Sequence, residues 1–447
     1  MPSPSPSWLP DSLGLVPHPS ARAKCVARTQ FNPGSRILST PAYAAILLDT
    51  EKGRRCDSCF RLTSDEVSLK RCSGCGSYWY CDTKCQSIHW KAHHKRICKI
   101  YNSFLLSLEY QALPMHQKLD AILLSHALAT LSLLPSPYIF QEDVSSVLLM
   151  SLLPYSDESI HLPPICPITP PPPDELVRKL YSRFGNNNFA IHSHLTTIAH
   201  GIFPQASRLF NHSCTPNSAA KYIFLPNKSI RMDVIALRDI NQGEEICLTY
   251  LDPALLETRE QLLEISHGFK CQCTSSLFLR RIGRLPILPS TASEISHISE
   301  GLRRFVGVES LLSHLPVKQI ETIPPSLYCV LRESYMTGLS EIFSQGSHQG
   351  QYDIAIDSGM TLLSLYILVY PVNYPQIGMH LLEMAKTVWN AVITSTDHSI
   401  ERPLKQRAWS FLMLAEQIMT VFGPEGDDGG PLQEIAILRE LLDSDLI

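Results

Sequence analysis

The spacing of apolar residues changes several times along the chain. Before residue 50 they come in short runs: Val26-Ala27, then Arg36 to Leu38 and Ala44 to Leu48, around the turn Asn32-Pro33-Gly34. Short runs between turn residues predict small strands. From 100 to 153 the spacing is helical, with Leu105, Leu106 and Leu108, then Leu119, Ile122, Leu123, Ala127 and Leu131. Eight prolines across 154–173, ending in Pro170 to Pro173, predict a loop or polyproline stretch. Asp174-Glu175 opens another helix, running to about Phe184. Weak alternation follows through Tyr222, Phe224, Ile230, Met232 and Val234, with Asn227-Lys228 as the hairpin turn. Arg238 to Ile246 is a turn into a last strand ending at Tyr250. Helical spacing then takes over in 252–267, 353–368, 377–392 and 405–421, with Pro371, Pro375, Pro403 and Gly423-Pro424 as separators.

At 447 residues the chain is long enough for two to four domains. Its hydrophobic share of 44% and charged share of 18% are ordinary globular usage. A net charge of −4 gives no overall bias toward nucleic acid, although residues 51–100 hold 11 Lys/Arg against 5 Asp/Glu. That local surplus predicts either a solvated face or an acidic partner, with nucleic-acid binding as the lesser expectation. The start, Met-Pro-Ser-Pro-Ser-Pro-Ser, lacks the form of a signal peptide, and no run of about 18 apolar residues predicts a membrane span. The expected location is therefore cytoplasm or nucleus, where thiols stay reduced and clustered cysteines are metal ligands before they are disulfides.

Seven of the fourteen cysteines fall in 56–98. They form pairs, Cys56-x2-Cys59, Cys72-x2-Cys75 and Cys81-x3-Cys85, followed by His94-x3-Cys98. Eight sulfur or imidazole ligands make two tetrahedral zinc sites. With Tyr80 before Cys81 and Trp90 before the histidines, the pattern resembles a MYND zinc finger. The resemblance implies interleaved sites, Cys56, Cys59, Cys81 and Cys85 on one ion and Cys72, Cys75, His94 and Cys98 on the other, with His93 as the alternative to His94. It also implies a Pro-rich peptide as the finger's partner.

Three further motifs follow in order: Asn211-His-Ser-Cys214 after Arg208-Leu209, then Gly243-Glu-Glu-Ile-Cys-Leu-Thr-Tyr250, then Phe269-Lys-Cys-Gln-Cys273. Together they resemble the second half of a SET domain, and with the finger and the C-terminal helices they resemble the SET-and-MYND protein lysine methyltransferases. The fold so implied is α+β and multidomain, a β-rich SET domain split by a MYND finger, with an all-α helical-pair domain resembling tetratricopeptide repeats at the C-terminus. Its boundaries are a disordered tail at 1–20, SET parts at 21–50 and 186–252, the finger at 51–98, helices with the Pro-rich insert at 99–185, a post-SET segment at 253–280 and helices at 281–447.

The resemblance implies S-adenosylmethionine as cofactor, a lysine of a histone or other protein as substrate, and no membrane. Arg22, Lys24, Asn187, Asn188, Arg208, Leu209, Asn211 and His212 would bind the cofactor, with Arg208 and Leu209 on a strand. Tyr250 would orient the reacting amine and Phe269 would line the lysine channel. Cys214, Cys271 and Cys273 would supply a third, post-SET zinc site. The chain departs from the family in having Ala21-Arg-Ala-Lys24 at a glycine-rich cofactor turn, His267 at a usual tyrosine and Ser276 at the fourth zinc position. The third site is therefore either three thiolates completed by another group or absent. The alternative function is a weakly active or inactive adaptor that binds Pro-rich partners.

Overall fold

The computed structural model describes residues 6–19, 21–64, 68–131, 144–154, 161–310 and 314–444. Among the described residues the strands are β1 (Leu13–Val16), β2 (Lys24–Ala27), β3 (Arg36–Pro41), β4 (Ala44–Leu47), β5 (Lys70–Arg71), β6 (Trp79–Tyr80), β7 (Asn188–Ser193), β8 (Thr196–Ile202), β9 (Asn211–His212), β10 (Ser218–Ile223), β11 (Arg231–Ala236) and β12 (Cys247–Leu248). They form several small sheets: β1-β2, β10-β11-β3, β4-β8-β7, β12-β9 and β5-β6. The two three-stranded sheets each join a strand from before the cysteine-rich segment to strands from after it. Sequence neighbours alone therefore cannot complete this core.

The expected tail at 1–20 is corrected in part, since residues 1–5 and 20 lie outside the described residues. Leu13–Val16 pairs antiparallel with Lys24–Ala27, and Leu13 is fully buried. The Pro/Ser composition around it hides a four-residue apolar segment that needs only a partner edge to form a strand. The last strand is shorter than expected, Cys247–Leu248, and runs parallel to Asn211–His212. Asn227, at φ +60°, turns the β10–β11 hairpin as expected.

The cysteine-rich segment is not packed by itself. Its Tyr78, Tyr80 and Ile97 share a buried cluster with Leu123, Leu124 and Leu128 of the helix Met115–Leu131 and with Ile202 of β8. The Pro-rich stretch, whose residues 155–160 lie outside the described ones, joins this cluster through Cys166 and Ile168. The Cys166 N–H donates to Ser125 Oγ at 2.9 Å, so this part is packed structure and not a free linker.

The largest core lies among the C-terminal helices Glu333–His348, Tyr352–Val369, Pro375–Thr394, His398–Phe422 and Pro431–Ser444. Pro375 sits at the first helical position, where no amide is required. Pro403, expected to separate helices, instead lies inside His398–Phe422, early enough that little of the hydrogen-bond ladder is lost. By length and composition Tyr352–Val369 qualifies as a membrane span, contrary to the expectation from sequence, but 72% of it is buried among its neighbours. Likewise the helix expected from 252 begins only at Arg259.

Candidate active site and metal clusters

Parallel pairing of β9 with β12 puts the Asn211–Cys214 motif beside Tyr250. The Tyr250 N–H donates to His212 Nδ1 at 2.9 Å, and its hydroxyl donates to the Phe210 carbonyl at 2.7 Å. Both ends of the tyrosine are thus fixed by one short segment. Its ring is enclosed by His267 (centroids 4.9 Å apart), His212 (5.3 Å) and Phe269 (6.3 Å). Burial pushes the phenol further above its ordinary range, so it stays protonated. Burial also lowers His267 to about 4, leaving a neutral imidazole in the wall.

A cleft of about 470 Å³ opens here, between Tyr250 and His267 on one side and Tyr374, Gln376 and Glu425 on the helical side. The helical side was not foreseen from sequence. Tyr370 stacks on Tyr374 at 5.0 Å and its hydroxyl donates to Asp252 Oδ1 at 2.9 Å, which ties that side to the end of the Tyr250 segment. The loop 423–430 carries Glu425. Burial raises its carboxyl to about 7.

Polar groups without partners collect at the other edge. Asn186 Oδ1, Asn188 Oδ1, Ser207 Oγ and Arg183 Nε are buried with no hydrogen bond. Such atoms are rare in a finished interior and mark a place for a polar ligand. Burial, and then the charge of Arg22, push both Arg183 and Arg208 below the ordinary guanidinium range. Among the described residues none of these three arginines forms a salt bridge. Arg22 acts on both other guanidiniums, so the three arginines form one cationic group, which suits a carboxylate.

Other expected residues have different local roles. Asn211 Nδ2 donates to the Ala23 carbonyl at 2.9 Å and to Glu245 Oε1 at 2.8 Å, which fastens the Ala21–Lys24 turn to the Gly243–Ile246 turn. Lys24 faces the same Glu245 at 3.7 Å. Asn187 lies in a short helix, Phe184–Asn187, and donates to the Arg183 carbonyl at 2.8 Å. Arg208 and Leu209 end the helix Pro204–Leu209 and are not on a strand, a correction with a simple cause: Pro204 starts the helix. Leu209 is core, at 1% exposure. Sequence reasoning missed Arg183; its one signal is its position just ahead of the three asparagines.

The cysteine-rich segment brings together two quartets, Cys56, Cys59, Cys81 and Cys85, and Cys72, Cys75, His94 and Cys98. Sulfur–sulfur distances are 3.8 Å for Cys59–Cys81 and for Cys72–Cys98. His94 Nε2 lies 3.4 Å from Cys72 Sγ and 3.6 Å from Cys75 Sγ. Ligands about 2.3 Å (sulfur) and 2.0–2.1 Å (nitrogen) from one tetrahedral zinc stand about 3.8 Å and 3.6 Å apart. Both quartets therefore have the donors and the spacing of zinc sites.

The third cluster is different. Cys214 Sγ lies 3.3 Å from Ser276 Oγ, and Cys273 Sγ lies 3.5 Å from the same hydroxyl. His212 Nε2, 3.2 Å from Cys214 Sγ, joins Cys214 and Cys271 as a donor group. Because His212 Nδ1 accepts from Tyr250, a neutral ring carries its proton on Nε2. That nitrogen donates to the Cys214 sulfur and has no free lone pair for a metal. The Ser276 hydroxyl is the further polar group that faces both Cys214 and Cys273.

Comparison with known proteins agrees with this geometry. Residues 23–251, just over half of the chain, match the SET domain family. The chain is 26% identical over 270 residues to histone-lysine N-methyltransferase ASHR1 of Arabidopsis thaliana, covering 58% of this chain and 54% of that protein. It is 26% identical over 282 residues to N-lysine methyltransferase SMYD2-B of Xenopus laevis (59% and 60%), and 27% over 261 residues to N-lysine methyltransferase SMYD2 of Mus musculus (54% and 55%). The chain thus spans little more than half the length of these curated relatives. The match across both halves of the split core shows that this chain belongs to the SET-domain family.

Proposed function

We propose that this protein is an S-adenosylmethionine-dependent protein-lysine N-methyltransferase. The observation that carries the reading is the enclosed Tyr250, held at both ends and set in a cleft that is also lined by Asn186, Asn188 and Ser207 with their orphaned oxygens. The names of the similar proteins support the same activity and a protein substrate.

S-adenosylmethionine, when bound, supplies an electrophilic methyl group. Arg22, Arg183 and Arg208 would hold its carboxylate, and Asn186, Asn188 and Ser207 would meet its other polar groups. The substrate amine must be neutral to react, whereas free lysine has a pKa of about 10.4. A dry, aromatic channel disfavours the ammonium form, so Phe269, Phe210 and the neutral His267 both exclude water and help release the proton. The Tyr250 hydroxyl, fixed by Phe210, would orient the amine. Asp252, on the wall of the same cleft, favours arrival of a cationic side chain.

In this reading the cysteine-rich segment is a MYND finger with two zinc ions, inserted between SET halves, and a surface for a Pro-rich peptide. The Cys214, Cys271, Cys273 and Ser276 set is a third, weaker zinc site. Calorimetry with S-adenosylmethionine tests the cofactor assignment. Saturable binding is expected, weakened at least tenfold in Arg208→Ala; no binding by the wild-type chain rules the assignment out.

A further inference from the structure

His93 is adjacent to His94 in sequence, but it lies outside the second quartet. The stretch Trp90–His94 is a π-helical turn, and both histidines at its end are buried. Such turns are uncommon and gather at functional positions. His94 joins the thiolates. His93 instead meets His89 and His126, and the three offer nitrogen atoms within 4.8 Å of one another. All three are buried, at 5%, 6% and 1% exposure for His89, His93 and His126.

The hydrogen bonds around these rings are those of ligands held from behind. His89 Nδ1 lies 2.8 Å from the Tyr80 hydroxyl, which leaves Nε2 pointing inward, 2.9 Å from His93 Nε2. His126 Nε2 lies 2.7 Å from the Tyr78 hydroxyl, and His126 Nδ1 is buried without a hydrogen-bond partner. The Ala45 backbone lies against that ring and acts on it as a hydrogen-bonding group. A histidine that binds a metal through one nitrogen is usually fixed through the other. Tyr80 and Tyr78 provide that second contact for two of the three rings.

We infer that His89, His93 and His126 form an all-imidazole site for a divalent transition ion of the zinc class, separate from the thiolate quartets. The donor atoms are His89 Nε2, His93 Nε2 and His126 Nδ1. Neutral imidazoles suit zinc, and no other residue type is needed for three of its four positions. Nitrogens on one tetrahedral zinc stand about 3.3 Å apart. The 2.9 Å contact between His89 and His93 therefore opens slightly on loading, and the stacked rings of His93 and His126, at 4.1 Å, splay.

The test compares the full chain, purified in the presence of zinc, with His126→Phe, which keeps a flat ring in the stack. Elemental analysis should find one zinc fewer per chain in the variant. After cobalt substitution the thiolate-to-metal absorption should be equal in both proteins, because the quartets are untouched. Equal zinc content in two folded proteins overturns the inference. X-ray absorption at the zinc edge of the wild-type protein is a second test, and it needs no variant. The quartets together supply seven thiolates and one imidazole; the histidine site raises the imidazoles to four. A nitrogen share accounted for by His94 alone also overturns it.

Discussion

Arg55 Nη1 donates to Asp427 Oδ2 at 2.6 Å, across a sequence separation of 372 residues. One residue belongs to the base of the cysteine-rich segment and the other to a loop between C-terminal helices. The same carboxylate accepts from the Leu62 N–H at 3.1 Å and from Ser193 Oγ at 2.7 Å. Arg55 also donates to Glu51 and to the Phe60 carbonyl. Gly426 is required in this loop: it has φ +64°, and a Cβ there would lie 2.5 Å from Ser193 Oγ and 2.9 Å from Ser193 Cα. Three parts of the molecule are pinned at this point, and the pin carries Glu425 to the cleft.

Removing one member of a buried charged network leaves the others unpaired, at a general cost of about 3–5 kcal/mol. Arg55→Met should therefore destabilise the fold by about 3 kcal/mol, and Asp427→Asn by somewhat less. In a double-mutant cycle by urea unfolding, the pair should cost clearly less than the sum. Simple additivity would show that the contact carries no coupling.

Glu425 gives a pH signature. Its folded value of about 7 lies above the ordinary 4.5, chiefly through burial, with the Lys221 charge opposing. A raised carboxyl stabilises the fold fully below the unfolded value, and that contribution is lost as pH rises through the folded value. Glu425→Gln cannot ionise. The melting temperature of Glu425→Gln relative to wild type should therefore rise between about pH 4.5 and pH 7 and level off above it, with a span of up to ~3 kcal/mol. A flat difference across that range would show that Glu425 is not held in this environment.

The metal clusters should differ in strength. Four-ligand sulfur-rich sites hold zinc tightly, whereas a hydroxyl is a poor substitute for a thiolate. A mild chelator should strip the Cys214, Cys271 and Cys273 site first, leaving the near-ultraviolet signal of the cysteine-rich segment intact. Cys72→Ala should lose a zinc from the second quartet. Ser276→Cys should make the third site resistant, with zinc retained at chelator concentrations about tenfold higher. Equal release in wild type and Ser276→Cys would show that Ser276 does not face the ion.

Much of this was legible in the sequence because the chemistry is local. Cys-x2-Cys spacing marks the ligand pairs, while their interleaving into two quartets, with His94 in the second, came from the family resemblance. The core of paired strands was readable from motif order. What escaped depends on contacts between distant segments. Leu13–Val16 is a strand only because Lys24–Ala27 offers an edge, and nothing near Arg183 or Asp427 signals the partners they meet. His93 was ambiguous for another reason: spacing assumes an ordinary helix, and the π-helical turn sends adjacent histidines to different clusters. Pro403 misled because a proline inside a long helix costs one ladder bond, which the packing of the rest of His398–Phe422 outweighs.

The central claim is methyl transfer governed by Tyr250. The direct measurement is transfer of labelled methyl from S-adenosylmethionine to a panel of lysine-bearing proteins, with wild type and Tyr250→Phe side by side. Phe keeps the ring packing against His267 and Phe269 but loses the hydroxyl fixed on Phe210. The account predicts labelled lysine with the wild-type chain and a rate lowered by about a hundredfold in the variant, the scale expected when a reacting group is misplaced. Equal rates in the two proteins, or no transfer by a wild-type chain that holds its zinc, would contradict it.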